Sequence, residues 1–248
     1  PGPIPGMPGM ASSSTLPRLF KAWGVAMEPK VVADVVFASG GGQRYTPTVL
    51  SLNRTAFARD DVVMAQIETL LYAFGGAFSV KPAEGLAVSA LISSSPNSML
   101  VDSAQATVSG EGATKSFQPG GKNMPLALRL SGKFKTAFPD GKPVDKAAKP
   151  KPAAPAAEPA LKESAKDNSV VLVADVDMLQ DGAAVDVQEV FGRRVVVPSN
   201  GNLALAQGLV EQLAAGDDLL SLQSRAAAFR PLTVVREMEA QAQLQYFG

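Results

Sequence analysis

The first repeating pattern of apolar positions is Leu16, Leu19, Phe20 and Trp23, whose helical spacing makes one stripe. Ser13, Ser14 and Thr15 offer caps ahead of it, Pro17 suits a first helical turn, and Gly24 can end the helix. Val31–Phe37 is β-branched and predicts a strand, and Thr46–Leu50 reads as extended. Val62–Met64, Leu70–Phe74 and Ala87–Ile92 predict further strands, with Gly75-Gly76 as a turn or bulge. Between Met124 and Lys133, Leu126, Leu128 and Leu130 alternate with Ala127, Arg129 and Ser131. That period of two predicts a half-buried strand whose Arg129 faces solvent.

The pattern then changes. Residues 139–168 are rich in Pro, Ala and Lys and nearly free of large apolar groups, as expected of an extended, mobile linker or insertion. Val170–Val173 is a continuous apolar run and predicts a parallel strand covered on both faces. Val185–Phe191 reads as helical and Val195–Val197 as extended. Asn200 to Asn202 cap a helix whose expected apolar face is Leu203, Ala206, Leu209, Val210 and Leu213, closed by Gly216. Leu219–Leu222 suggests a short strand. Pro231 opens a last helix in which Val234, Val235, Met238 and Ala242 share a face. Val234 and Val235 are expected to be buried, and the small or polar residues after Met238 to continue as a stalk.

These elements predict an α/β fold: a mainly parallel sheet flanked by helices near Val170–Leu213, joined to a more β-rich region near 31–135. The expected division is a β-rich first part at 1–138, the linker at 139–168, an α/β part at 169–230 and the C-terminal helix at 231–248.

Composition narrows the function. The 248 residues are 46% apolar and 19% charged, enough to bury a substantial core. With 6% aromatics, that core rests on Val, Leu, Ala and Met. Twenty-three basic residues balance 23 acidic ones, so no charge excess points to nucleic acid or to an anionic membrane. There is no histidine and no cysteine. A Ser-His-Asp triad, a histidine base, a thiolate nucleophile and most zinc sites are thereby excluded. The opening PGPIPGMPGM has neither the basic nor the apolar region of a signal peptide, and no apolar stretch is long enough for a membrane helix. The Pro/Gly start without an initiator Met reads as a piece of a longer protein. No catalytic residue, cofactor or metal is expected, and the chain is expected not to be an enzyme.

Four residues are candidate ligand or partner contacts: Asp175, Asp177, Ser95 and Asn97. The two aspartates follow the Val170–Val173 strand, where ligands of open α/β sheets sit. They suit capping of the next turn first and a hard cation second. Ser93 to Ser98 form the most polar short cluster; a serine nucleophile there lacks a histidine base and the GxSxG context, and turn hydrogen bonding accounts for its composition. Ser39 to Gly42 form a glycine loop without P-loop or dinucleotide spacing and read as a plain loop. Trp23 reads as a packed core or edge residue ahead of a ligand platform.

Several stretches, in order, resemble the auxiliary component of ABC transporters related to the gliding-motility protein GldG. They are LPRLFKAWGVAMEPKVVAD (16–34), LISSSPNSMLVD (91–102), GKFKTAFPDGKP (132–143), VVLVADVDML (170–179), VPSNGNLALAQGLVEQLAAGDDLLSLQSR (197–225) and RPLTVVREME (230–239). The resemblance implies an extracytoplasmic, periplasmic domain held between membrane helices outside this chain, working beside a permease and a separate ATPase. It implies an additional α/β region before the part seen here and no established catalytic residues. The insertion at 139–168 looks longer than a minimal member needs. No nucleic-acid partner is expected, and association of the chain with itself is compatible with the sequence. The rival functions are a stand-alone carbohydrate- or peptide-binding module and a carboxylate-dependent hydrolase using Asp175 or Asp177.

Overall fold

The computed structural model describes residues 16–41, 44–108, 115, 117–139, 141, 161–190 and 193–214. The expected elements at Leu219–Leu222 and 231–248, and most of the Pro/Ala/Lys-rich segment, lie outside them.

The described part opens with α1 (Pro17–Trp23), as the Leu16–Trp23 spacing predicts. Gly24 ends it at φ 69°, where its N–H reaches back to the last carbonyls and a Cβ would lie 1.9 Å from the Lys81 carbonyl oxygen. Strands β1 (Val25–Met27), β2 (Val31–Asp34), β3 (Ala38–Ser39), β4 (Thr46–Asn53) and β5 (Thr69–Ala73) follow. After them come β6 (Phe78–Val80), β7 (Leu86–Ser93), β8 (Ser98–Val101), β9 (Pro125–Gly132) and β10 (Asn168–Val173). The described part closes with α2 (Asp181–Ala184), β11 (Val185–Val190), β12 (Arg193–Pro198) and α3 (Asn202–Ala214).

Every strand pairing among the described residues is antiparallel. Two three-stranded sheets, β3-β4-β5 and β10-β9-β7, are accompanied by the two-stranded pairs β1-β6, β2-β8 and β11-β12. This overturns the expected parallel α/β sheet flanked by helices. Val170–Val173 belongs to β10, which runs back along β9 from Asn168↔Gly132 to Val173↔Ala127 and lies at the edge of its sheet, only half-buried. A run of β-branched residues suits any pleated surface. It carries no information about the direction of its neighbour. The β9–β10 connection is also tied at its base. Lys135 bridges Glu163, Thr136 N–H donates to the Lys162 carbonyl at 2.9 Å, and Ser164 N–H donates to that of Phe134 at 2.9 Å.

Local predictions fail where polar side chains intervene. Val62–Met64 is no strand: Asp61 Oδ1 accepts the Val63 and Met64 N–H groups at 3.0 and 3.1 Å, and a 3-10 turn follows at Met64–Gln66. The helix expected at Val185–Phe191 is, over its described residues Val185–Val190, a strand, because Val185 and Val187 alternate with Asp186 and Gln188 at the strand period. Arg129 does not face solvent. Its guanidinium is 2.9 Å from Asp61 Oδ2 and also bonds Gln212 of α3, with both members of the ion pair largely buried.

Two apolar clusters form the core. The first gathers Leu50, Leu52, Met64, Leu70, Tyr72, Ile92, Leu126 and Leu205 with their neighbours. The second gathers Phe20, Val25, Phe78, Leu128, Leu130 and Phe134. Strand β9 contributes to both. Helix α3 buries Asn202, Leu205, Leu209 and Gln212, whereas Leu203, Val210 and Leu213 of the expected face are exposed. The polar ends set this rotation, Gln212 through its bond with Arg129 and Asn202 through the backbone groups of Leu71 and Met178. No helix among the described residues is long and apolar enough to cross a membrane.

Candidate functional site

Asp175 follows β10 and is almost fully buried. Its Oδ1 accepts the N–H groups of Asp177 (2.9 Å) and Met178 (3.1 Å), and its Oδ2 accepts that of Ala73 in β5 (3.2 Å). Burial pushes its pKa up to about 6; the three N–H donors oppose that rise, and the nearby Asp177 charge adds to it. Tyr72 beneath it is pushed well above the ordinary phenol value by burial and then by the Asp175 charge, while its hydroxyl donates to the Gly76 carbonyl at 2.6 Å.

The Ala73 bond is one of a set along the outer edge of β5. Thr69, Leu71 and Ala73 direct their main-chain groups away from β4, and each finds a partner. The Thr69 carbonyl accepts Gly201 N–H at 2.9 Å. Asn202 Oδ1 accepts Leu71 N–H at 3.1 Å, and Asn202 Nδ2 donates to the carbonyls of Leu71 (2.9 Å) and Met178 (2.7 Å). A Cβ at Gly201 would sit 2.6 Å from the Thr69 oxygen, so this approach of α3 to the strand needs glycine there. Side chains thus close an edge that would otherwise expose unpaired groups.

The face of β4–β5 that carries Val49, Leu71 and Ala73 is the floor of an open cavity of about 370 Å³. Phe74 and Met178 flank it, and the exposed Asp177 lines it. Phe74 is half-exposed and holds φ 57°, a strained conformation for a bulky residue. Asp177 accepts Gln180 Nε2 at 2.7 Å. A second cavity, of about 330 Å³, lies between Arg54, Phe57, Arg59 and Met64; Arg54 there is ion-paired with Glu68 at 2.6 Å.

Ser95 and Asn97 lie on a different turn, between β7 and β8. The Ser95 hydroxyl donates to Asp34 Oδ1 at 2.7 Å and accepts Asn97 N–H at 3.1 Å, and Ser95 N–H donates to Asp34 Oδ2 at 2.6 Å. Ser94 and Ser98 join their hydroxyls at 2.8 Å behind it. The Asn97 side chain is exposed.

Asp34, Asn202, Arg129 and Phe74 were not among the sequence candidates. For Asp34 the signal was present. Val32-Ala33-Asp34-Val35 and Val173-Ala174-Asp175-Val176 are the same string, and the two aspartates do the same thing. Asp34 Oδ1 accepts from residues two and three ahead, Val36 and Phe37, and its Oδ2 reaches across the fold to Ser95 N–H. Each closes the turn after a strand and fastens it to a distant segment.

Asp175 and Asp177 share one turn and do not oppose each other across a cleft. Among the described residues no three carboxylates gather as a metal-binding group. No match was found among curated proteins or solved structures. A family model described as an ABC-type uncharacterized transport system matches residues 1–207. That match spans most of the chain, which therefore belongs to this family of auxiliary components of ABC-type transport systems.

Proposed function

We propose that this chain is a non-enzymatic, extracytoplasmic domain of an auxiliary membrane protein of the GldG-like kind, and that it holds transporter subunits together by binding. The observation that carries the reading is the contrast between its polar and apolar candidates. Asp175, Asp34 and the Ser95 hydroxyl are occupied by backbone hydrogen bonds that fasten turns. The floor of Val49, Leu71 and Ala73 is left open beside Phe74 and Asp177. Apolar surface beside a single carboxylate suits a permease segment that lays an aliphatic side chain on the floor and a lysine or arginine against Asp177. The hydrolase alternative needs two carboxyls facing each other across a cleft. Asp175 and Asp177 are instead consecutive supports of one turn.

The test is co-purification of the full-length protein with the permease and ATPase of its own system. Asp177→Lys and Phe74→Ser leave the core intact and should each weaken association, the charge reversal by about tenfold. Undiminished association in both variants would remove the groove from the proposal. Hydrolysis by the purified protein that disappears in Asp177→Ala would overturn the non-enzymatic reading.

A further inference from the structure

Among the described residues, the pair β11–β12 is a two-stranded ribbon with no third strand on either edge. All six residues of β12 are exposed, as are Asp186 to Glu189 of β11, and Val187, Val195, Val196 and Val197 are among the most exposed large apolar residues. The ribbon is fastened at its base, where Ser199 N–H donates to the Ala184 carbonyl at 3.0 Å. A two-stranded ribbon is marginal in water without a third strand or a covered face. This one therefore calls for a partner.

The register says which edge is suited to one. In an antiparallel pair, hydrogen-bonded and non-hydrogen-bonded residue pairs alternate. The Ser199–Ala184 bond sets the phase, so that Asp186↔Val197 and Gln188↔Val195 are the hydrogen-bonded pairs. Arg194, Val196 and Pro198 of β12 then direct their main-chain groups outward. So do Val185, Val187 and Glu189 of β11.

We propose that two copies of this chain pair antiparallel through their β12 edges, about a twofold axis at Val196, and form a four-stranded sheet. Val196 of each copy then exchanges both N–H···O bonds with its counterpart, and Arg194 N–H donates to the Pro198 carbonyl of the other copy. The missing N–H of Pro198 falls at the ends of the contact, where it costs least. Val195 faces Val197, Arg194 faces Pro198 and Arg193 faces Ser199, so no like charges stand directly opposite each other.

Side chains favour the same operation. Val187 is the cross-strand partner of Val196. Pairing at Val196 therefore builds an unbroken row on one face, in which Val187 and Val196 of one copy meet Val196 and Val187 of the other. On the opposite face Val195 and Val197 take the centre, with Gln188 and Asp186 displaced to the outer strands. Pairing through β11 would reverse that order and place Asp186 and Gln188 in the middle of the sheet. The interface is isologous and closes at two copies.

The absence of cysteine makes the test direct. Residues related by this axis have Cα atoms about 5.5 Å apart, within disulfide reach. Val196→Cys should oxidise rapidly to a covalent dimer, whereas Val187→Cys, on the other edge of the same ribbon, should not. By sedimentation, the unmodified chain should reach twice its monomer mass as concentration rises. Val196→Pro should abolish that doubling, and Val187→Pro, which also removes an outward N–H, should preserve it. Equal oxidation of the two cysteine variants, loss of the dimer in both proline variants, or a monomer at every concentration would each overturn the proposal.

Discussion

Asp175 is the residue at which burial and hydrogen bonding pull in opposite directions. Its folded pKa, raised from 3.8 to about 6, means that the folded chain binds this proton more tightly than the unfolded chain does. The contribution is therefore most favourable at low pH, where the carboxyl is protonated in both states. It declines as pH rises from about 4 through 6, where the unfolded carboxyl has already ionised, and is constant above that. The difference is on the order of 3 kcal/mol. The measurement is the difference between two pH profiles of the urea midpoint, which isolates the part that belongs to this residue. Asp175→Asn should flatten the part of the decline that belongs to this residue. It can keep the bonds from Asp177 and Met178, but its amide NH₂ then faces Ala73 N–H. Wild type and variant with parallel profiles between pH 4 and 7 would contradict this account. Phe74 is the other residue under tension, since its left-handed backbone is held by the Thr48 carbonyl, which accepts its N–H at 2.8 Å.

Among the elements, strands with a clear period of two were legible: β4, β5, β7 and β9 lie where alternation or a short apolar run places them. What the residues of a strand do not encode is the direction of its neighbour. The Val170–Val173 run reads as a doubly covered parallel strand, yet its register with β9 makes it a half-buried antiparallel edge. Helix α3 was legible in place but not in rotation. Leu203, Val210 and Leu213 are apolar enough to face the core, but a polar residue outranks them, because Asn202 fits three backbone groups at once. Asp175 was legible as a turn residue, but its cross-fold partner Ala73 was not, and neither was the pairing of Ser95 with Asp34, since the partners lie far apart along the chain. The role of Asn202 can be tested by charge. Asn202→Ala leaves the Leu71 groups and the Met178 carbonyl unpaired and should cost about 2–4 kcal/mol. Asn202→Asp keeps the acceptor for Leu71 N–H but turns its second oxygen on two carbonyls. It should be at least as damaging at neutral pH and recover on acidification. Denaturant midpoints of the two variants at pH 5 and 7 separate this account from simple loss of packing, which would make alanine the worse substitution.

For the whole molecule, the question is whether two apolar clusters make one cooperative unit. Strand β9 places Leu126 in the first cluster and Leu128 and Leu130 in the second, all essentially inaccessible. Arg129 of the same strand is ion-paired with Asp61 and bonded to Gln212. A strand that supplies both cores cannot leave one without opening the other. The chain contains its own reporter for this coupling. Trp23 is its single tryptophan, and it packs edge-on against Phe134 at 5.0 Å in the second cluster, with its indole N–H donating to the Lys135 carbonyl at 3.2 Å. Leu50 lies in the first cluster and is completely buried. Leu50→Ala should cost about 2–5 kcal/mol by leaving a cavity that the strands cannot fully collapse. If the clusters are coupled through β9, that loss lowers the denaturant midpoint seen by Trp23 fluorescence as much as the midpoint seen by far-ultraviolet circular dichroism, and the two curves stay superimposed. If they fold independently, the Trp23 curve holds its wild-type midpoint while the dichroism curve splits. The ion pair sharpens the comparison. Asp61→Ala removes the partner of a largely buried guanidinium, together with the cap on Val63 and Met64, which belong to the first cluster, and that change should likewise move the Trp23 transition.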